Sequence, residues 1–133
     1  MLKVGILGST GRVGSLLIDD LANDEVARVS SVHVFDKITK ILPEDIVVTN
    51  DMQTMLEASD VVIDFSAPVA TEELLSTVAQ NEGGKPLVIA TTGFNEHQKN
   101  LLIEASKVVP ILYATNMSLG VAVLNKLVAL ASK

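Results

Sequence analysis

Short apolar runs alternate along the chain with longer amphipathic stretches, and this alternation restricts the fold more than any other feature of the sequence. Strands are predicted where the runs have strand length, at residues 4–7, 32–35, 46–48, 61–65, 87–90 and 111–114. Helices are predicted where apolar residues recur at steps of three and four, at residues 13–22, 52–58, 71–81, 96–107 and 119–130. This repeated strand–helix–strand order is typical of α/β proteins with right-handed crossovers.

Several of the predicted strands are apolar at successive positions instead of at alternate ones, as in residues 61–63, which read V-V-I. Such a strand is buried on both of its faces, as in a parallel sheet covered by helices on each side. Boundary residues agree with this interpretation, because Asn50 or Asp51 can cap helix 52–58 and Pro110 stops helix 96–107. The sequence therefore predicts a doubly wound, mostly parallel sheet with helices on both faces.

The first predicted strand leads directly into a glycine-rich turn, residues 8–14, which read G-S-T-G-R-V-G. This spacing is a variant of the dinucleotide-binding fingerprint of Rossmann-like folds. Gly8 permits the turn, Gly11 lets the backbone approach a pyrophosphate, and Gly14 lets the helix pack closely on the strand. Glycines also serve ordinary turns, but their position at the first strand-to-helix junction favours a dinucleotide site.

An acidic residue, Asp36, follows the second predicted strand at the distance from the glycines that the fingerprint requires. Its carboxylate is suited to accept hydrogen bonds from the ribose hydroxyls of adenosine, although Asp is also common in ordinary turns. Lys37 could meet a 2′-phosphate, which Asp36 would repel. We therefore expect NADH or NADPH as the cofactor, with NADH bound at least as well.

The composition limits the number of domains, the partners and the chemistry that this protein can have. A chain of 133 residues, 48% of them hydrophobic, is sufficient for one domain. The formal charge of −6 disfavours nucleic acid and anionic lipid as partners, and the absence of cysteine excludes disulfides and thiol nucleophiles. No membrane span or signal peptide is apparent, which predicts a soluble cytoplasmic protein. His33 and His97 are expected to be structural or surface residues, and no metal-ligand cluster is visible.

Four ordered segments resemble the dihydrodipicolinate reductases of bacterial lysine and diaminopimelate synthesis. Residues 8–14 are similar to that family's G-x-x-G-R-M-G, and residues 62–68, V-I-D-F-S-A-P, to its V-I-D-F-[ST]-x-P. Residues 90–94, A-T-T-G-F, are similar to its G-T-T-G-F, and residues 114–121, A-T-N-M-S-L-G-V, to its A-x-N-F-S-x-G-V. The departures are Val13, Ala90, Met117 and Ala122, together with a short connection between residues 37 and 49.

The resemblance implies an NAD(P)H-dependent oxidoreductase whose substrate is a small cyclic imine dicarboxylate. The cofactor-binding residues that it and the fingerprint indicate are Gly8, Ser9, Thr10, Gly11, Arg12, Val13, Asp36, Lys37, Phe65, Ser66, Ala90, Thr91, Thr92, Ala114, Thr115, Asn116 and Met117. Thr91 and Thr92 could instead cap the helix that begins near Glu96.

The family's catalytic His-His-x-x-K segment belongs to a second domain and does not occur among these 133 residues. We therefore expect residues 1–133 to be the cofactor-binding domain of a longer reductase, without catalytic residues of its own. The resemblance implies a homotetramer built largely through the second domain, and a monomer or weak dimer for this chain alone. Two alternatives are a non-catalytic nucleotide-sensing module and the cofactor domain of another dehydrogenase, such as an aspartate or semialdehyde enzyme.

Overall fold

The computed structural model describes residues 2–8, 12–22, 24–33, 42, 44–80 and 84–113. In these residues one sheet contains six strands: β1 (Leu2–Leu7), β2 (Ala27–His33), β3 (Val47–Thr49), β4 (Val61–Asp64), β5 (Leu87–Ile89) and β6 (Ile111–Tyr113). The same residues form four helices: α1 (Arg12–Leu21), α2 (Met52–Glu57), α3 (Pro68–Gln80) and α4 (Glu96–Ser106). All strand pairs are parallel, in the order β3-β2-β1-β4-β5-β6, which is the order of a doubly wound Rossmann-type sheet.

Both faces of the sheet are buried at its central strands, which explains why these strands are apolar at successive positions. In β4, Val61 and Ile63 join a core cluster with Leu17 of α1, whereas Val62 joins a second cluster with Leu74 of α3. Successive side chains of a strand point to opposite faces. A strand between two helical layers therefore needs apolar residues at every position.

The second strand starts at Ala27, not at Val32 as the apolar run suggested. Its interior contains Ser30 and Ser31, which are buried although they are polar. The Ser30 hydroxyl donates to the carbonyl of Val4 at 3.3 Å, and the Ser31 hydroxyl lies 2.9 Å from the Ser59 hydroxyl. Because these bonds replace those with water, a strand can continue through positions that hydropathy marks as polar.

The beginnings of the helices follow local capping chemistry. Asp51, not Asn50, caps α2, because its carboxylate accepts the backbone N–H of Thr54. Pro68 occupies the first position of α3, where a missing N–H costs nothing. Asn95 caps α4 and forms a capping box with Gln98.

Within the part of the chain that the structure describes, no helix has the length and apolar character needed to cross a membrane. The same residues contain no cluster of three or more His, Asp or Glu side chains arranged to hold a metal ion. The predicted helix at residues 119–130 lies outside the described residues.

Candidate functional site

The sheet reverses its strand order between β1 and β4, its two central strands. The chain proceeds from β1 outward through β2 to β3, then returns to the other side of β1 with β4 and proceeds outward through β5 to β6. Helices that leave neighbouring strands in opposite directions open a crevice at the carboxyl edge, which is where open α/β sheets bind ligands. Leu7 of β1, the last residue before the glycine turn, is paired with Asp64 of β4 and with His33 of β2.

Gly8 lies on this reversal and brings the turn after β1 against the turn after β4. Its φ of +88° is in the left-handed region, which favours glycine. A Cβ atom at Gly8 would lie 2.6 Å from the carbonyl oxygen of Phe65 and 2.9 Å from the backbone nitrogen of Ser66. The neighbouring backbone therefore occupies the space that any other side chain would need, while the backbone N–H of Phe65 donates to Leu7 at 2.9 Å.

The turn after β5 continues the same edge. The backbone N–H of Ala90 donates to the carbonyl of Asp64 at 2.9 Å, which keeps β4 and β5 paired to their ends. The Thr91 side chain is buried, whereas Thr92 and Gly93 are exposed. Gly8 and the turns after β4 and β5 consequently form one continuous border of the crevice.

A fully buried acid, Asp64, lies beneath this border. One of its carboxylate oxygens accepts the backbone N–H of Ser66 at 2.8 Å as well as the Ser66 hydroxyl, and the other accepts the hydroxyl of Thr71. The Thr71 and Thr91 hydroxyl oxygens are 2.9 Å apart. Burial raises the pKa of the Asp64 carboxyl above its ordinary value of 3.8, while the bonds from Ser66, Thr71 and Thr91 lower it and limit the rise.

The structure brings the described members of the predicted cofactor set to one edge of the sheet. These are Gly8, Phe65, Ser66, Ala90, Thr91 and Thr92, and α1 begins with Arg12 and Val13, whose side chains are outside the description. Ser9, Thr10, Gly11, Asp36, Lys37, Ala114, Thr115, Asn116 and Met117 lie outside the described residues. The segments that contain them follow the carboxyl ends of β1, β2 and β6, at the same edge.

The sequence did not indicate the group around Asp64, and the alternative role of Thr91 and Thr92 as caps of α4 is wrong. From the sequence, Thr71 is expected only to begin a helix, yet its hydroxyl connects Asp64 to Thr91. The feature of the sequence that could have indicated this group is Asp64 itself, an ionisable residue at the end of an otherwise apolar strand. Thr91 and Thr92 do not cap α4, because Asn95 does.

Of the two histidines, His33 ends β2 at this same edge and is buried, whereas His97 lies on the surface of α4. The buried His33 ring contacts the carbonyl of Asn50 at 3.1 Å, and the exposed His97 pairs with Glu72 at 3.3 Å. A pocket of about 290 Å³ opens between the end of α1 and the start of β2, beside the ion pair of Arg28 and Asp45. That pocket is at the amino ends of the strands, opposite the crevice, so its position does not match a dinucleotide site.

Comparison with known proteins identifies the family. The family model described as dihydrodipicolinate reductase, N-terminus, matches residues 2–117. The chain belongs to this family. A 4-hydroxy-tetrahydrodipicolinate reductase of Aliarcobacter butzleri is 68% identical over 133 residues, which are 100% of this chain and 52% of that protein. A reductase of the same name from a Sulfurovum species is 52% identical over 128 residues, 96% of this chain and 49% of that protein.

The family predicted from the four motifs is thus confirmed, and the chain spans about half the length of the curated relatives it matches. Solved structures confirm the fold. A dipicolinate-bound dihydrodipicolinate reductase from Paenisporosarcina sp. TG-14 has a TM-score of 0.74 at 23% identity and covers 99% of this chain and 54% of that chain. An aspartate dehydrogenase from Thermotoga maritima reaches 0.62 at 19% identity and covers 95% of this chain and 51% of that chain. Fold likeness extends to other dehydrogenases, so sequence identity is what selects the family.

Proposed function

We propose that this chain is the nicotinamide-cofactor half of a reductase that reduces a dihydrodipicolinate-type cyclic imine in lysine and diaminopimelate synthesis. The observation that carries the proposal is the contact of Gly8 with Phe65 and Ser66 at the reversal of strand order. Because Gly8 has no side chain, its backbone lies close to the backbone of Phe65 and Ser66 in the turn after β4, and α1 begins four residues later. This geometry fits a diphosphate bound at the start of a helix.

The predicted residues divide between the two halves of the cofactor. Residues 8–13 would hold the diphosphate, and Asp36 would bind the adenosine ribose on the β2 side. Phe65 and Ser66, with residues 90–92 and 114–117, would border the nicotinamide on the β4 side. When bound, the reduced cofactor supplies the hydride, and the chain's part is to orient it and keep water from its reacting face.

The cofactor preference is inferred from Asp36 and Lys37, the third and fourth residues after β2. A carboxylate at Asp36 accepts hydrogen bonds from ribose hydroxyls and repels a 2′-phosphate, whereas Lys37 attracts that phosphate. We propose that both NADH and NADPH bind and that NADH binds at least as tightly.

The substrate and the remaining catalytic groups belong, in this proposal, to a further domain. The relatives are about twice as long as this chain, which supports residues 1–133 as the cofactor domain of a longer, cytoplasmic homotetramer. The chain by itself is then a monomer or weak dimer that binds cofactor and turns nothing over.

Titration of the chain with NADH and NADPH, followed by nicotinamide fluorescence, tests cofactor binding. We expect micromolar-range saturation by both and a larger loss for NADH than for NADPH in Asp36→Ala. Asp60→Ala is the matched control, since Asp60 bonds the Lys3 N–H at the opposite edge of the sheet. Absence of binding by either cofactor would refute the proposal, and equal losses in Asp36→Ala would remove the ribose assignment.

A chimera tests the reaction. This chain, joined to the second half of the Aliarcobacter butzleri relative, should oxidise NADH in the presence of the cyclic imine, and the chain alone should not. A chimera that binds NADH and folds as the relative does, yet remains inactive, would favour a nucleotide-sensing module.

A further inference from the structure

Asp64 connects two segments that border the crevice but are separated in the sequence. Its carboxylate bonds Ser66 in the turn after β4 and Thr71 in the first turn of α3, and Thr71 contacts Thr91 in the turn after β5. Asp64, Thr71 and Thr91 are all buried. A buried carboxylate is costly unless its oxygens are bonded, so these partners hold Asp64 and are held by it.

The Thr71 hydroxyl is the link between Asp64 and Thr91 in this group. An ionised carboxylate can only accept, and each threonine hydroxyl has one hydrogen to donate. The Thr71 hydroxyl has Asp64 and, at 2.9 Å, the Thr91 oxygen as acceptors, whereas the carbonyl of Ala67, at 3.3 Å, is a longer alternative. With one hydrogen for two acceptors, Thr71 lies between Asp64 and Thr91 and couples the positions of their side chains.

We propose that Asp64 is a positioning residue for the nicotinamide half of the site: through Thr71 it holds the Thr91 side chain in place and fixes the turn of residues 90–93. This inference rests on the proposed cofactor function. The adenosine half lies on the β2 side of β1 and the nicotinamide half on the β4 and β5 side. Loss of the hydroxyl chain should therefore weaken contacts to nicotinamide and spare those to adenosine and diphosphate.

The backbone offers a way to separate positioning from general support of the fold. The bond from the Ala90 N–H to the Asp64 carbonyl does not involve either side chain. Thr91→Val removes only the hydroxyl at nearly constant volume, so the pairing of β4 with β5 should survive. Thr91→Ser restores the hydroxyl. Thr77→Val is a matched control, because the Thr77 hydroxyl donates to the carbonyl of Glu73, one turn earlier in α3, at 2.8 Å.

The experiment measures the affinity of the full 133-residue chain for NADH and for ADP-ribose, which lacks nicotinamide, by isothermal titration calorimetry. In Thr91→Val we expect an affinity for NADH reduced about fivefold to tenfold, the effect of one buried hydrogen bond. The affinity for ADP-ribose should change less than about twofold. Thr91→Ser should recover binding of NADH, Asp64→Asn should reproduce the selective loss, and Thr77→Val should bind both ligands as the unaltered chain does.

The outcomes separate this inference from the proposed function. Equal losses for NADH and ADP-ribose in Thr91→Val, or no loss of NADH binding, would overturn the positioning role while leaving cofactor binding intact. If the unaltered chain binds neither ligand, the proposed function fails and this inference fails with it. The two variants Thr91→Val and Thr91→Ser decide the question even if Asp64→Asn does not fold.

Discussion

Replacing Gly8 by alanine should destabilise the chain more than the same replacement at Gly93, and the difference measures the backbone contact at the crevice. Both glycines have a positive φ, +88° and +85°. A left-handed conformation costs an L-residue roughly 1–2 kcal/mol, which the lower entropy of the unfolded alanine chain offsets by about 0.4–1 kcal/mol. Gly93→Ala should therefore lower the free energy of unfolding by about 1 kcal/mol.

Gly8→Ala carries a second cost that Gly93→Ala lacks. A Cβ atom at Gly8 would lie 2.6 Å from the Phe65 carbonyl oxygen, whereas one at Gly93 meets nothing within 4 Å. Because the obstacle is backbone, it cannot rotate away, and overpacking of this kind adds about 1–3 kcal/mol. The total loss expected for Gly8→Ala is about 2–4 kcal/mol.

Urea unfolding followed by far-ultraviolet circular dichroism gives both losses by linear extrapolation. Gly8→Ala should also bind NADH and ADP-ribose more weakly, since its turn would hold the diphosphate in the proposed site. Equal losses of unfolding free energy in the two variants would show that Gly8 is not in close contact with the turn after β4.

Three further outcomes are expected. In urea unfolding, Leu74→Ala should lower the free energy of unfolding by about 2–5 kcal/mol, because Leu74 is fully buried. Val69 lies on the same helix but is 74% exposed, so Val69→Ala should change this free energy by less than about 0.5 kcal/mol. Asn95→Ala should cost about 1 kcal/mol through loss of the α4 cap, and an unchanged urea midpoint would contradict this. Burial raises the pKa of Asp64, so the folded state binds a proton at a higher pH than the unfolded chain does. The free energy of unfolding should therefore increase as the pH falls through the raised pKa towards 3.8. Parallel pH profiles of this free energy for Asp64→Asn and the unaltered chain would refute the prediction.

The sequence predicted the six strands and the first four helices because strands and helices have different apolar periods, and burial of both faces of the central strands is visible as local apolar runs. It placed the start of β2 wrongly, since Ser30 and Ser31 are satisfied by Val4 and Ser59, residues that are distant in the sequence. Hydropathy reports the polarity of a side chain but not the partner that makes its burial possible.

The position of the candidate site could be predicted from the sequence, but the contacts beneath it could not. Gly8 and the turns after β4 and β5 could be placed at one edge, because parallel strands share their carboxyl ends. The hydroxyl chain from Asp64 through Thr71 to Thr91 could not be, since its members come from three different elements and form no local pattern.

The pairing of the first strand with β4 determines when the site can form during synthesis. Lys3 and Asp60, which bond where β1 meets β4, are 57 positions apart. A ribosome that adds about 5–20 residues per second needs roughly 3–11 s to make that interval. Until then β1 lacks its β4 neighbour, so a nucleotide bound at the proposed site could not help the nascent chain to fold before this central strand pair is complete.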